Sequence, residues 1–311
     1  MALQEPGIEM NEDSEFSMGI AFDGSRIVSI LEARIPMIDM GFLHSDVCYD
    51  VVSVWKGSFF RLNEHMNRFE RSYQGLGFDM PYTKAEMKQI LIDMVARAQL
   101  RDAYVYMAAT RGLPDLEDPR DMTKYHPMFY AFAVPFIWIV DPEEQKIGTD
   151  VIISVVPRIP EASVDPTIKN QHWGDLTRAE REAHEKGAKT AFLLDLDGNL
   201  AEGVGFNVFI IKDGKLFTPD SNCLLGITRL TVFELAKELN IPAEACRIPA
   251  DAVRAADEIF MCTTAGGIMP VKSIDNIPLS GGKPGPITMK LHEAFWKAHE
   301  RPEYSTPVIY G

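Results

Sequence analysis

Hydrophobic and polar positions change period repeatedly along this chain, and the changes mark out interleaved helices and strands. The stretch 62–76 has a helical period, and 82–100 predicts a second helix. Thr83 opens that helix with Glu86 three residues on, a capping box ahead of an apolar-periodic run. Segments 103–109 and 128–140 read as strands, while the polar stretch between them, 111–127, carries Gly112, Pro114 and Pro119 and predicts a long loop of the kind that often bears function. Further on, 150–156 and 190–196 predict strands and 173–187 a helix. Asp197-Gly198 and Asp213-Gly214 each lie between strand-like runs, a hairpin signal, and together they predict an antiparallel meander. Helices are expected over 228–239, 250–256 and 285–299, and a strand over 258–263.

The pattern breaks into charge at Asp141-Pro142-Glu143-Glu144-Gln145, which places a domain boundary there. The expected organisation is a small N-terminal α/β domain over 1–140, a linker over 141–147 and a larger domain over 148–311, a mixed α/β (α+β) architecture. A chain of 311 residues is about twice the usual domain length, which fits this division. With 46% hydrophobic and 24% charged residues it has the composition of a folded protein. A net charge of −14, with Lys and Arg scattered, argues against a nucleic-acid surface. Cys48, Cys223, Cys246 and Cys262 show no paired spacing, so neither a disulfide framework nor a metal site is expected, and a reducing compartment is. The acidic segment 1–16 lacks the basic and apolar regions of a secretion signal. The longest apolar run, near 129–140, carries Pro135 and is too short to span a bilayer, so the expected location is cytoplasmic, with no membrane partner.

Three short segments carry candidate chemistry: Thr167-Ile168-Lys169-Asn170, Glu202-Gly203-Val204-Gly205-Phe206-Asn207 and Gly226-Ile227-Thr228-Arg229. Lys169 offers an amine, which burial would tend to keep neutral and nucleophilic. Glu202, 33 residues on, offers a carboxylate able to keep a pyridine nitrogen protonated, with Gly203 and Gly205 allowing close backbone approach. The Gly226 turn, 24 residues further, leads into a helix whose free N–H groups, with the Thr228 hydroxyl, suit a phosphate. Arg68 offers a fixed cation, and Thr263-Thr264-Ala265-Gly266-Gly267 ends a strand with hydroxyls suited to an anion. Each has a plainer reading, as a solvated lysine, a strand-end glutamate, a capped helix or a surface arginine. Amine, carboxylate and anion site nevertheless occur in the order that pyridoxal phosphate chemistry uses.

A longer series of segments carries a family resemblance: His44-Ser45-Asp46, Tyr49-Asp50-Val51, Ser53-Val54-Trp55, Phe60-Arg61-Leu62-Asn63-Glu64-His65, Thr110-Arg111-Gly112-Leu113, Asp165-Pro166-Thr167-Ile168-Lys169-Asn170, Trp173-Gly174-Asp175-Leu176 and the run from Asp257 to Pro270. In these the chain resembles the fold type IV pyridoxal phosphate enzymes, which include branched-chain and D-amino acid aminotransferases, and it is most similar to the (R)-selective amine transaminases. The resemblance implies the two-domain D-amino acid aminotransferase-like fold, its larger domain a pseudo-barrel of mainly antiparallel strands, and a homodimer whose active site the second subunit completes. It implies pyridoxal 5'-phosphate as cofactor, with Lys169 as the Schiff-base lysine and the acid/base of the 1,3-proton shift. Glu202 would partner the pyridine nitrogen and Leu224 form an apolar platform, while Arg68, Gly226, Ile227, Thr228, Thr263 and Thr264 would hold the phosphate end.

The implied substrate pocket takes in His44, Tyr49, Val51, Tyr104, Tyr106, Arg120 and Ala265. Tyr104 and Tyr106 depart from the amine-transaminase pattern, where a Phe and an acidic residue are expected. Glu117 falls near the place of a mobile carboxylate-binding arginine, a role left to Arg120 or Arg111. The expected reaction is ping-pong transfer of nitrogen from a primary amine to a keto acid such as pyruvate. A D-amino acid or branched-chain aminotransferase is the alternative within the fold. A non-catalytic protein using the Gly226 turn and Arg68 to bind a sugar or nucleotide phosphate is the alternative outside it.

Overall fold

The computed structural model describes residues 14–311, so most of the acidic segment read for a secretion signal lies outside the described residues. The chain divides into two compact units, one running to Ile137 and rejoined by Thr306–Gly311, the other Trp138–Ser305.

The first unit is built on β1 (Ile20–Phe22), β2 (Ile27–Ser29), β3 (Val47–Trp55), β4 (Ser58–Phe60), β5 (Ala103–Leu113) and β6 (His126–Pro135), with helices α1 (Met40–His44), α2 (Leu62–Gly75) and α3 (Lys84–Ala98). The long central strands β3, β5 and β6 pair antiparallel, with Val51 opposite Tyr106 and Tyr106 opposite Phe132. Because strand side chains alternate, Tyr49, Val51, Tyr104, Tyr106 and Phe132 share one face while Cys48, Asp50 and Phe129 take the other. α2 turns His65, Arg68, Phe69 and Ser72 inward at helical spacing, and Phe69 meets Phe129 at 6.0 Å between ring centroids. α3 starts two residues later than the period suggests, because Thr83 is its cap: Thr83 Oγ1 accepts from the Glu86 N–H at 3.2 Å and Glu86 accepts from the Thr83 N–H at 2.8 Å. β5 and β6 reach further than expected, so the intervening loop is 114–125, and the strand expected to run to 140 stops at Pro135.

The second unit opens with α4 (Pro142–Ile147), where a linker was expected. Asp141 caps it, accepting from the Glu143 N–H at 2.8 Å, and Pro142 sits in its first turn, so a charged stretch that reads as a break is a helix start. There follow β7 (Thr149–Ile153), α5 (Gly174–Glu185), β8 (Thr190–Leu194), β9 (Leu200–Gly203), β10 (Asn207–Lys212), β11 (Lys215–Pro219), α6 (Ile227–Glu238), β12 (Ala243–Cys246), α7 (Ala250–Arg254), β13 (Glu258–Thr263), β14 (Gly267–Ile274), β15 (Ile277–Pro278) and α8 (Pro286–Ala298). The sheet order is β12-β11-β10-β13-β14-β7-β8-β9, with β15 on β14. Both Asp-Gly hairpins form, but they do not make one meander: β9 lies at the far end from β10 and β11. The sheet curls instead, and Gly203 and Phe206 form an isolated bridge that brings β9 back towards β10. Pairing is antiparallel except at β14/β7, β7/β8 and β11/β12, the second of these spanned by the α5 crossover.

The final strand, β16 (Ser305–Pro307), pairs with β4. The residues after it belong to the first unit, where the Tyr310 hydroxyl donates to the Leu100 carbonyl at 2.7 Å and the Arg101 guanidinium stacks 3.6 Å from the Tyr310 ring centroid. Among the described residues no helix is long and apolar enough to cross a membrane, and no His, Cys, Asp and Glu cluster could hold a metal. The four cysteines are free thiols.

Candidate active site

In the second unit a chain of contacts ties three of the predicted cofactor residues, Glu202, Leu224 and Gly226, together. Glu202, on β9, is buried; its Oε1 accepts from Arg158 Nε at 2.8 Å and its Oε2 from the Leu224 N–H at 3.1 Å. The Leu224 carbonyl accepts from Asn207 Nδ2 at 2.8 Å, and Asn207 Oδ1 lies against Gly226, where a Cβ would stand 2.1 Å from it. Gly226 thus lets the chain pass Asn207 and is the N-cap of α6, bringing no side-chain oxygen to the first turn. The N–H groups of that turn lack intrahelical partners and gather the helix dipole, the arrangement a phosphate requires. Ile227 and Thr228 are both buried in it.

Gly203 and Gly205 correct one expectation. The space beside Gly203 belongs to the Phe206 ring, 1.9 Å from where a Cβ would be, and beside Gly205 it belongs to Trp173, at 3.1 Å. Gly205 also has φ of +82°, which favours glycine. These glycines admit two aromatic rings rather than a cofactor. The Thr263 hydroxyl is tied in the same place, donating to the Gly205 carbonyl at 3.1 Å, while Thr264 and Ala265 lie in the turn between β13 and β14.

Lys169 sits half-buried on a loop braced by its own side chains. Asp165 Oδ1 accepts from the Thr167 N–H at 2.8 Å, and Asn170 donates to the Ile168 carbonyl at 2.9 Å. Contacts between Glu161 and Asn222, at 3.3 and 3.4 Å, hold this loop to the segment that carries Leu224.

Sequence reasoning missed Arg158 and Asp175 as site residues. Arg158 is buried and forks, with Nε on Glu202 and Nη1 on Asp175 Oδ2 at 2.7 Å. Burial works against its charge, but Glu202 and Asp175 more than offset this and raise its pKa. Nothing in local spacing signals this contact, which spans 44 residues.

In the first unit, four predicted substrate residues share one sheet face. Tyr49 stacks on Tyr106 at 5.2 Å and 20°, Tyr106 on Phe132 at 4.9 Å and 11°, and Val51 pairs with Tyr106 across β3 and β5. Burial pushes the Tyr104 hydroxyl well above its ordinary pKa, so it stays neutral. Phe132, absent from the predicted set, completes the stack. Arg68 lies on the opposite face and is buried rather than solvated, donating from Nε and Nη2 to Asp50 at 2.8 Å each. His65 Nδ1 is also 2.8 Å from Asp50, so the arginine is held in one orientation by a buried carboxylate. His44 ends α1 and is exposed.

The two candidate carboxylate-binding arginines differ sharply. Arg111 is committed to structure: it donates to Asp46 at 2.7 Å and to the Leu76 carbonyl at 3.0 Å, and lies over the Phe78 ring at 4.6 Å. Arg120 is exposed in the 114–125 loop.

A curled mixed sheet carrying a loop lysine, a buried carboxylate and an uncapped helix N-terminus defines a class of cofactor-dependent enzyme, and comparison with known proteins agrees. The family model for class IV amino-transferases matches residues 47–274. The chain is 34% identical over 273 residues to a putative branched-chain-amino-acid aminotransferase of Methanocaldococcus jannaschii, covering 87% of this chain and 93% of that protein. It is 31% identical over 276 residues to a D-alanine aminotransferase of Listeria monocytogenes, covering 87% and 93%. Among solved structures, the branched-chain aminotransferase of Thermoproteus uzoniensis with norvaline matches with a TM-score of 0.85 at 27% identity, covering 93% of this chain and 99% of that one. The chain belongs to the class IV aminotransferases, and is a pyridoxal phosphate-dependent enzyme.

Proposed function

We propose that the protein is an (R)-selective amine:pyruvate transaminase working through Lys169, as a homodimer whose second subunit completes the active site. One observation carries the choice of substrate class: the face formed by Tyr49, Val51, Tyr104, Tyr106 and Phe132 is aromatic and aliphatic, with no charged side chain among them, and Arg111 is locked to Asp46. Such a wall suits the hydrocarbon groups of a simple amine and offers a donor's carboxylate no cation.

The cofactor supplies an electron sink for the carbon that bears the transferred nitrogen. With the cofactor in place, the Lys169 amine would take the proton from that carbon and return it to the carbon on the other side of the transferred nitrogen, a 1,3-shift. Glu202 would keep the ring nitrogen protonated, and Leu224 would offer the ring an apolar platform. The Ile227 and Thr228 N–H groups, the Thr228 hydroxyl and Thr264 would hold the phosphate. Arg68, which Asp50 fixes as a cation, is the arginine that the family resemblance gives to it. Arg120 would receive the keto acid carboxylate, and His44 and Ala265 are further candidate substrate contacts.

Purified protein given (R)-1-phenylethylamine and pyruvate is expected to form acetophenone and alanine, and turnover of the (S) enantiomer alone refutes the proposal. Lys169→Ala should abolish transfer and the borohydride-reducible adduct while the circular dichroism spectrum stays that of the parent.

A second reading, an amino acid aminotransferase, is favoured by the names of the relatives and by Arg120, which could take both carboxylates in turn. Competing D-alanine, L-leucine and 1-phenylethylamine as donors separates the two.

A further inference from the structure

The buried cluster around Glu202 holds more charge than one carboxylate needs. Asp175 is fixed at the start of α5, where its Oδ2 accepts from the Ile159 N–H at 2.7 Å and its Oδ1 from the Leu176 N–H at 2.9 Å. Arg158 is therefore anchored from behind by a rigid acceptor, at 2.7 Å, and presents its Nε edge to Glu202 at 2.8 Å. We infer that Arg158 is a positioning residue: it holds Glu202 as an anion and fixes its rotation, so that the proton shared with the cofactor stays on the ring nitrogen. The inference rests on the transaminase reading of Glu202 given above.

Charge balance carries the argument. One guanidinium between two carboxylates leaves a net charge of minus one among the three side chains, which a protonated ring neutralises. Without Arg158 the two buried carboxylates and the ring cation would again sum to minus one, now with no fixed donor on either acid. The cheaper state in a buried site moves the proton: the ring N–H bond breaks, an O–H bond forms on Glu202, and the ring becomes neutral. Neighbouring groups do not substitute for the arginine. The Cys223 thiol, its pKa pushed up to about 12 by burial and by the charge of Glu202, stays neutral. Arg229, the other cation near that thiol, stacks over Phe233 at 5.1 Å and donates to the Pro219 carbonyl at 3.0 Å. The Leu224 N–H orients Glu202 Oε2 but brings no charge.

A purely structural Arg158 and a positioning Arg158 differ in one readout, the protonation state of the ring. The holoenzyme, reconstituted with cofactor labelled with 15N in the ring, is titrated by NMR as wild type, Arg158→Met and Arg158→Lys. In the wild type the ring nitrogen should be protonated across neutral pH. In Arg158→Met its resonance should move to the unprotonated position, with kcat down about 10- to 100-fold and KM for the amine little changed, the usual scale for removing a partner that orients a ligand-binding group. Arg158→Lys keeps the charge without the fork, so the ring should stay protonated at neutral pH but lose its proton at lower pH than in the wild type. A folded Arg158→Met variant with a protonated ring and wild-type kcat overturns the inference. If Arg158→Met does not fold, a ring titration in Arg158→Lys identical to wild type overturns it equally. Mass spectrometry after borohydride reduction is run on each sample. Wild-type protein with no adduct on Lys169 removes the transaminase reading and this inference together, whereas a normal adduct with unchanged ring titration removes only the role of Arg158.

Discussion

Asp50→Asn changes the shape of one side chain very little and should nevertheless unfold much of what holds the first unit together. Asp50 is fully buried, and its two oxygens gather the Val51 N–H at 2.7 Å, His65 Nδ1 at 2.8 Å and two Arg68 donors at 2.8 Å each. Burial alone would push its carboxyl up; Arg68 and His65 together overcome this and hold it well below the usual carboxylate range. In the variant Arg68, only 4% exposed, keeps its charge against a neutral amide, one of whose ends is itself a donor. Breaking a buried pair from one side costs about 3–5 kcal/mol, a large share of a typical stability of about 5–15 kcal/mol. With a urea slope of about 1–3 kcal/mol/M, the unfolding midpoint should fall by about 1 M or more at neutral pH. Circular dichroism at one protein concentration and saturating cofactor measures it, since ligand and assembly both move apparent stability. The folded pKa of Asp50 lies below the unfolded value of about 3.9, so its contribution is complete above that pH and is lost as pH falls through the folded pKa. The gap between wild type and variant should therefore narrow only in acid. Adding Arg68→Met to Asp50→Asn should recover part of the loss by removing a buried charge that has lost its carboxylate. A midpoint shift worth less than about 1 kcal/mol would refute the reasoning, because a pair that counts so little is not buried in the sense that matters.

Other perturbations probe the remaining parts. Gly203→Ala places a methyl 1.9 Å from the Phe206 ring and should cost about 1–3 kcal/mol of stability, with kcat falling as Glu202 is displaced. Thermal unfolding and steady-state kinetics read the two effects, and an unchanged melting temperature contradicts the packing described. Glu202→Gln should lower kcat on the order of 100-fold, as expected when a fixed charge opposite a reacting group is lost, and wild-type turnover would remove the residue from the proposed machinery. Arg111→Ala and Arg120→Ala should split: the first should lower the melting temperature, while the second should leave it unchanged and raise KM for pyruvate. The reverse outcome would return Arg111 to the substrate pocket.

Local signals read well from the sequence because their physics is local. The Thr83 capping box, the two Asp-Gly turns and the Gly226 helix start each depend on a few adjacent residues, and each is found. Asp141-Pro142 misled in the opposite direction, since the residues that signal a break also cap a helix. What could not be read is non-local: the separation of β9 from β10 in the sheet, the fork of Arg158 between Glu202 and Asp175, and the pairing of Arg68 with Asp50 on the far side of a strand whose alternate residues form the aromatic wall. Lys169, Glu202 and Thr228 stand out as a candidate set because their residue types and order carry chemistry. Gly203 and Gly205 were legible as special positions but not for their reason, because only coordinates show which ring fills the space.

β16 gives the molecule an order of assembly. The strand that covers the β4 edge, and the Tyr310 that locks onto Leu100, are made only after the whole second unit. On the ribosome the leading half of the polypeptide must wait, its sheet margin open, until translation has finished everything between. Cutting the chain before Ser305 would leave the first-made unit with the β4 margin of its sheet uncovered.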